Sequence, residues 1–186
     1  MALIISLTIC NAAIAQNVYQ TGVVNIKLSG TSNVHDWEMK AVKGNSEASF
    51  VVNASDKITS LSKISFTLPA KNLKSDHTAM DNNTYKALNT DKNPNISFVS
   101  TSANITSTGG GNYQITSTGK LTIAGTTNET NLVATGKYSP ADSSLTVTGV
   151  KNMKMTDYNV KPPKALLGTI KTGDAISISY NLKFSK

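Results

Sequence analysis

The sequence predicts an all-β domain, an antiparallel closed β-barrel of about eight strands with one short helical insertion. Three observations predict it. Apolar and polar residues alternate with period two in at least seven segments, the pattern of strands with one buried and one wet face. Turn-forming residues separate these segments at intervals suited to a barrel or sandwich. Between the apolar positions the chain is rich in Ser, Thr and Asn rather than in the Glu, Gln and Ala of helical surfaces. A parallel sheet covered by helices would instead show continuous apolar runs. Closure is expected because it removes exposed strand edges. The chain has 186 residues, which suits one domain.

Residues 1–15 are apolar and end in Ala13-Ile14-Ala15 before Gln16. They read as the apolar core and cleavage site of a secretory signal, although the usual basic start is missing. Residues 16–186 then form the mature barrel domain, in the periplasm or secreted. The apolar stretch is too short to span a bilayer. Cys10 is the single cysteine, so no internal disulfide forms. Thr8-Ile9 before it do not suit a lipidation site.

In the body of the chain, Val24, Ile26 and Leu28 alternate with Asn25, Lys27 and Ser29. Trp37, Met39 and Ala41 follow the same rule, with Trp37 placed as if buried. Ala48, Phe50 and Val52 come next, then Ile64, Phe66 and Leu68. Between residues 72 and 93 the alternation stops. Met80, Thr84, Ala87 and Leu88 share one helical face there, with Ser75 or Asp76 as N-cap. Asn93-Pro94 ends the helix and starts the next strand. Strands are expected at 96–105, 113–123, 129–138 and 145–155, and a long loop carrying Pro162-Pro163 at 156–169. The last strand is the clearest, with Ile176, Ile178, Tyr180, Leu182 and Phe184 alternating with polar residues. Turns are expected at 43–45, 53–57, 109–112, 124–127, 139–142 and 172–174.

The charge is +7 and every basic residue is lysine. The lack of arginine speaks against nucleic-acid binding, where its bidentate fork is favoured. The lysines are scattered, as on a solvated surface, which leaves weak attraction to anionic lipid headgroups as the residual reading. His35 and His77 are the two histidines, too few for a conventional structural zinc site without carboxylates. His35 and Asp36 are neighbours, so in an extended stretch they point to opposite faces and form no dyad. No nucleophile elbow, phosphate loop or reactive cysteine is present. Glu38, Glu47 and Glu129 give only generic support to a paired-carboxylate mechanism. No enzyme, metal or cofactor is expected on these grounds. The inward apolar residues are then the functional candidates, and pattern alone reads them as an ordinary core.

Four segments change that balance. Leu28-Ser29-Gly30-Thr31-Ser32-Asn33-Val34-His35-Asp36-Trp37 is the first. The second joins Met80-Asp81-Asn82-Asn83-Thr84-Tyr85-Lys86-Ala87-Leu88 to Asn93-Pro94-Asn95-Ile96-Ser97-Phe98. The third is Gly119-Lys120-Leu121-Thr122-Ile123-Ala124-Gly125-Thr126-Thr127. The fourth is Met155-Thr156-Asp157-Tyr158, then Pro162-Pro163, Gly168 and the last strand. Together and in this order they resemble the YceI-like family, bacterial lipocalin-like polyisoprenoid-binding proteins. Many relatives have Arg-x-Asp-Phe-Gly near the last loop, where this chain has Lys154-Met155-Thr156-Asp157-Tyr158-Asn159.

The resemblance implies a barrel with a helix by its opening and a long apolar lumen for an isoprenoid or acyl chain. An isoprenoid quinone or a fatty acyl chain would be bound as ligand, without catalysis. The expected wall residues are Trp37, Met39, Phe50, Phe66, Leu68, Ile96, Phe98, Ile178 and Tyr180. Those expected at the mouth are Leu73, Met80, Tyr85, Leu88, Met153, Met155, Tyr158, Leu166 and Leu167. Aromatics and methionines suit a flexible chain because they give area and adaptability. Asp157, Asn82 and Lys154 are weaker candidates for a headgroup. A homodimer and transient contact with a membrane surface are left open as partners. The alternative is a two-sheet sandwich used for adhesion or carbohydrate binding.

Overall fold

The structure is a computed structural model and describes residues 17–185. The signal segment, its cleavage site and Cys10 lie outside the described residues. Ten strands run in chain order: β1 (Asn17–Ser32), β2 (Trp37–Ala41), β3 (Asn45–Val52), β4 (Ile58–Pro69), β5 (Asn95–Gly109), β6 (Asn112–Ile123), β7 (Thr126–Ser139), β8 (Ser144–Lys154), β9 (Lys164–Ala165) and β10 (Ile170–Ser185). One helix, α1 (Thr78–Leu88), lies between β4 and β5. The strands make one ten-stranded antiparallel sheet, curled so that β1 also pairs with β10. Among the described residues one sheet forms rather than two, so the sandwich alternative falls.

The turn expected at 43–45 is a break within a straight run. β2 pairs with β1 from Gly30↔Trp37 to Ile26↔Ala41, and β3 continues in the same register from Gln20↔Glu47 to Asn17↔Phe50. The two therefore act as one interrupted strand beside β1. The turn expected at 172–174 is a bulge inside β10. Between Gly30↔Ile176 and Ser32↔Thr172 the register with β1 slips, and extra residues on one strand bend it. Two register slips between β3 and β4 space the inward residues of β4 irregularly, as Ile58, Leu61, Ile64, Phe66 and Leu68. Only the last three kept the alternation visible in the sequence.

The helix also differs at both ends. Its N-cap is His77, not Ser75 or Asp76, and Asn89 in the left-handed conformation ends it. Asn93-Pro94 only starts β5. Lys40 and Lys74 exchange backbone hydrogen bonds of 2.7 and 2.8 Å, and the Ala70 N–H donates to the Pro94 carbonyl at 2.8 Å. These tie the helical insertion across one end of the curled sheet. The loop expected at 156–169 holds 3-10 turns at Met155–Tyr158 and Leu166–Gly168 as well as β9.

At the opposite end the interior is filled. Tyr19 stacks on Phe50 with ring centroids 3.7 Å apart, and Tyr138 meets Phe50 edge-on at 6.4 Å. Leu61, Tyr113, Leu145 and Phe184 are buried around them. The Tyr113 hydroxyl accepts the Ile58 N–H at 2.9 Å, which pins the start of β4 to this floor. Phe50→Ala should cost about 3–5 kcal/mol through the cavity it leaves. Urea unfolding read by far-UV circular dichroism checks this, and a loss under about 1 kcal/mol would show that the floor relaxes without Phe50.

Candidate functional site

From the floor towards the helix, side chains of the same inward phase change from buried to partly exposed. On β10, Phe184 and Leu182 are buried while Tyr180, Ile178 and Ile176 are half-buried. On β4 the change falls between Leu61 and Ile64. These partly exposed residues face a cavity of about 440 Å³, within the usual size range of ligand sites. Beneath the helix the wall is buried again at Leu68, Leu73 and Leu88. The lining is almost wholly apolar, with Ile26, Leu28, Phe66, Phe98, Ile115 and Leu121 among its residues.

Two aromatics are seated by glycines opposite them. Trp37 pairs with Gly30 across β1 and β2, and Tyr180 pairs with Gly149 across β8 and β10. A Cβ on either glycine would collide with the facing ring, so each ring lies over bare backbone. The Trp37 indole N–H donates to the Thr31 carbonyl at 2.9 Å. Trp37 is half-buried rather than buried, because one side of it faces the cavity.

The wall has a slit. β7 and β8 pair only from Ser139↔Ser144 to Ala134↔Gly149; towards the helix end they part. Within the slit the Lys151 ammonium donates to the Asn131 carbonyl at 3.1 Å, and the Tyr180 hydroxyl lies 3.5 Å from the Val133 carbonyl. Above it, the Asn128 side-chain amide donates to the Asp157 carbonyl at 2.6 Å, and that of Asn159 to the Thr126 hydroxyl at 3.1 Å. Side chains thus replace the missing ladder. Burial raises the Tyr180 pKa, which keeps its hydroxyl neutral.

Polar lining residues gather at the helix end: Ser32, His35, His77, Asn83, Lys154, Lys164 and Thr172. The His35 Nδ1 lies 2.7 Å from the Asp36 carbonyl. Deeper polar groups are already satisfied, as where Ser117 donates to the Ser102 carbonyl at 3.1 Å. Among the described residues no buried side-chain polar atom lacks a partner, and no group of three or more potential metal ligands occurs.

Of the residues expected at the site, Trp37, Met39, Phe66, Leu68, Ile96, Phe98, Ile178 and Tyr180 line the cavity wall. Leu73, Met80, Leu88, Met153, Met155 and Tyr158 line its helix end. Four do not line it. Phe50 is in phase but belongs to the filled floor. Tyr85 turns away from the cavity, with its hydroxyl 2.9 Å from the Leu73 carbonyl. Leu166 and Leu167 point to solvent. Lys154 reaches the cavity, whereas Asn82 is exposed on α1 and Asn83 takes the inward place. The Asp157 carboxylate accepts the Lys154 N–H at 2.9 Å. Sequence reasoning gave His35 and His77 a structural or surface role and counted Lys164 among the scattered lysines of a solvated surface; all three are exposed and also border the cavity. It also omitted Ile115, Leu121 and Ile123 from the site, although their in-phase alternation along one strand was a usable signal.

The helix is held over the cavity by Asp81, a buried carboxylate on its first turn. It accepts the Ser75 N–H at 2.7 Å and the Ser75 hydroxyl at 2.9 Å, and Lys74 lies 3.4 Å away. Burial works against its charge, but the Ser75 donors and Lys74 outweigh it and hold the carboxyl below its ordinary value. Its stabilisation is therefore complete above the ordinary carboxylate range and is lost as pH falls through the lowered pKa. Asp81→Asn should cost about 2 kcal/mol at neutral pH and flatten the acid limb of the stability curve. Denaturant midpoints measured from neutral to acid pH check this, and an unchanged acid limb would clear Asp81 of that role.

Comparison with known proteins places this geometry among relatives. A family model described as YceI-like domain matches residues 18–184. The chain is similar in structure to Burkholderia cenocepacia BcnA, with a TM-score of 0.65 at 18% identity over 86% of this chain and 95% of that one. A polyisoprenoid-binding domain from Saccharophagus degradans, implicated in plant cell wall breakdown, gives 0.64 at 7% identity over 90% and 97%. A YceI protein of Campylobacter jejuni gives 0.55 at 16% identity over 77% and 84%. A search of curated proteins finds no match.

Proposed function

The chain belongs to the YceI-like family, and from that premise we propose that it binds a lipid-like chain, isoprenoid or acyl, in the apolar cavity and carries or stores it without catalysis. The observation that carries this reading is a cavity of about 440 Å³ lined mainly by apolar side chains, with most of its polar residues at the helix end and the deeper Ser117 and Lys151 hydrogen-bonded to backbone carbonyls. In this reading the strand ring closes as a barrel of eight members, with β2 and β3 counting as one. Lys151 and Tyr180 close the slit between β7 and β8. The protein works in the periplasm or outside the cell, and an isoprenoid quinone or fatty acyl chain is its cargo rather than a cofactor.

The energetics support a site without strong polar contacts. Each buried methylene contributes about 0.8 kcal/mol, so a chain of about fifteen carbons gains on the order of 12 kcal/mol. Lost freedom on association takes back about 4–15 kcal/mol. Useful affinity is within reach when the lumen is already formed, and the filled floor and the glycine-seated rings preorganise it.

Native mass spectrometry of the purified protein, followed by organic extraction, tests the reading. A co-purifying isoprenoid or acyl species is expected. Phe66→Asp places a charge on the cavity wall and should lower occupancy at least about tenfold while circular dichroism stays β-rich. The lipid reading fails if the protein emerges empty and takes up neither isoprenoid quinones nor fatty acids. A turnover abolished by His35→Ala or His77→Ala would overturn the non-catalytic part of it.

A further inference from the structure

β9 and β10 form a short hairpin at the open end of the cavity. Ala165 pairs with Ile170 and Lys164 with Lys171, and the Thr172 N–H extends it by donating to the Pro163 carbonyl at 3.2 Å. Its tip is Leu166-Leu167-Gly168-Thr169. Leu166 is 71% exposed and Leu167 109%, more than any other large apolar residue among the described residues, the rest of the exposed ones being valines. Both leucines have positive φ, 47° and 55°, in the left-handed region that leucine seldom adopts. Strain of this kind concentrates at working parts of a structure.

The base of the hairpin is basic. Lys164 and Lys171 lie directly opposite each other, an arrangement in which like charges repel. Neither lysine takes part in an ion pair among the described residues. Lys161 is exposed nearby in the chain. Asn33 clamps the hairpin to the loop between β1 and β2. Its side-chain amide donates to the Thr169 carbonyl at 2.9 Å, its side-chain oxygen accepts the Lys171 N–H at 2.7 Å, and its own N–H donates to the Lys171 carbonyl at 3.1 Å. The clamped loop carries Val34, 61% exposed. Asp36 is the single carboxylate of that loop.

We propose that this hairpin docks the open end of the cavity on an anionic phospholipid bilayer, with Leu166, Leu167 and Val34 entering the interfacial layer and Lys161, Lys164 and Lys171 meeting lipid phosphates. The order along the hairpin favours a bilayer over a protein partner. An apolar tip beyond a lysine base matches a membrane surface, where phosphates lie outside the acyl region. The net charge of +7 adds long-range attraction to an anionic surface. Lys164, Ala165 and Ile170 also line the cavity, so docking brings the mouth against the lipid from which a ligand would come. The proposal goes beyond the lipid-binding reading and does not need it, because vesicle binding and ligand content are measured separately.

The test is flotation of the full chain with vesicles of equimolar phosphatidylglycerol and phosphatidylcholine, beside vesicles of phosphatidylcholine alone. Binding to the anionic vesicles is expected to exceed that to the neutral ones. Lys164→Gln and Lys171→Gln should each weaken it about fivefold, and Leu166→Ser with Leu167→Ser at least about tenfold. These four side chains are exposed, so the fold survives, as circular dichroism checks. An environment-sensitive fluorophore on Leu167→Cys in a Cys10→Ser background should shift to shorter wavelength on the anionic vesicles. Absent binding, binding that neither set of variants weakens, or an unshifted fluorophore overturns the proposal. A leucine-dependent complex with another protein, without vesicle binding, overturns it in favour of a protein partner.

Discussion

The rest of the structure depends on the aromatic floor, where Tyr19 and Phe50 stack at 3.7 Å and Tyr138 meets Phe50 at its edge. A curled sheet of this width encloses more volume than its inward side chains can fill, and an unfilled interior forfeits dispersion contacts. The chain resolves this by segregation. Among the described residues, three of the five largest fully buried side chains, Phe50, Leu145 and Phe184, gather at one end, while Met39 and Ile115 line the cavity wall. The other end is left hollow and apolar. A uniformly under-packed interior would have no single arrangement; a packed floor lets the ladders above it hold the wall around empty space.

The slit between β7 and β8 follows from the same segregation. Close to the floor, residues such as Leu145 and Val147 pack inward and the two strands pair. Beside the hollow there is less packing to hold them together. Unpaired backbone carbonyls then need other donors, and Lys151 and Tyr180 supply them at Asn131 and Val133. Both side chains belong to strands facing the cavity, so the polar repair of the wall and the shape of the lumen are coupled. Gly149 makes this arrangement feasible. Any Cβ there would push the Tyr180 ring off the wall and carry its hydroxyl away from Val133.

Strand identity was legible because each strand has one inward phase, and the phase survives wherever the register is regular. Ile176 to Phe184 on β10 and Tyr113 to Ile123 on β6 could be assigned by alternation alone. Depth was not legible. Phe50 and Phe66 have the same residue type, the same phase and adjacent strands, yet one belongs to the floor and the other to the cavity wall. The difference lies in position along the strand relative to a floor assembled from distant segments. The bulges of β4 and β10 hid for the same reason, since a register slip is a relation between two strands. Tyr85 shows a third limit. Its helix position suited the mouth, but carbonyls at Lys71 and Leu73 captured its hydroxyl, a local competition that periodicity does not register.

The hollow end also explains why the polar residues of the site lie where they do. A lone polar group inside an apolar cavity must find a protein partner or bear the cost of desolvation. Inside the lumen Ser117 and Thr84 meet this demand, on the Ser102 carbonyl at 3.1 Å and on the Met39 sulfur at 3.3 Å. Groups with free hydrogen-bonding capacity are tolerated only where water reaches them, and His35, His77 and Lys164 accordingly stand exposed at the helix end. A ligand with one apolar and one polar end would meet a matching gradient along the cavity axis. Its orientation would be set by desolvation rather than by any individual headgroup contact.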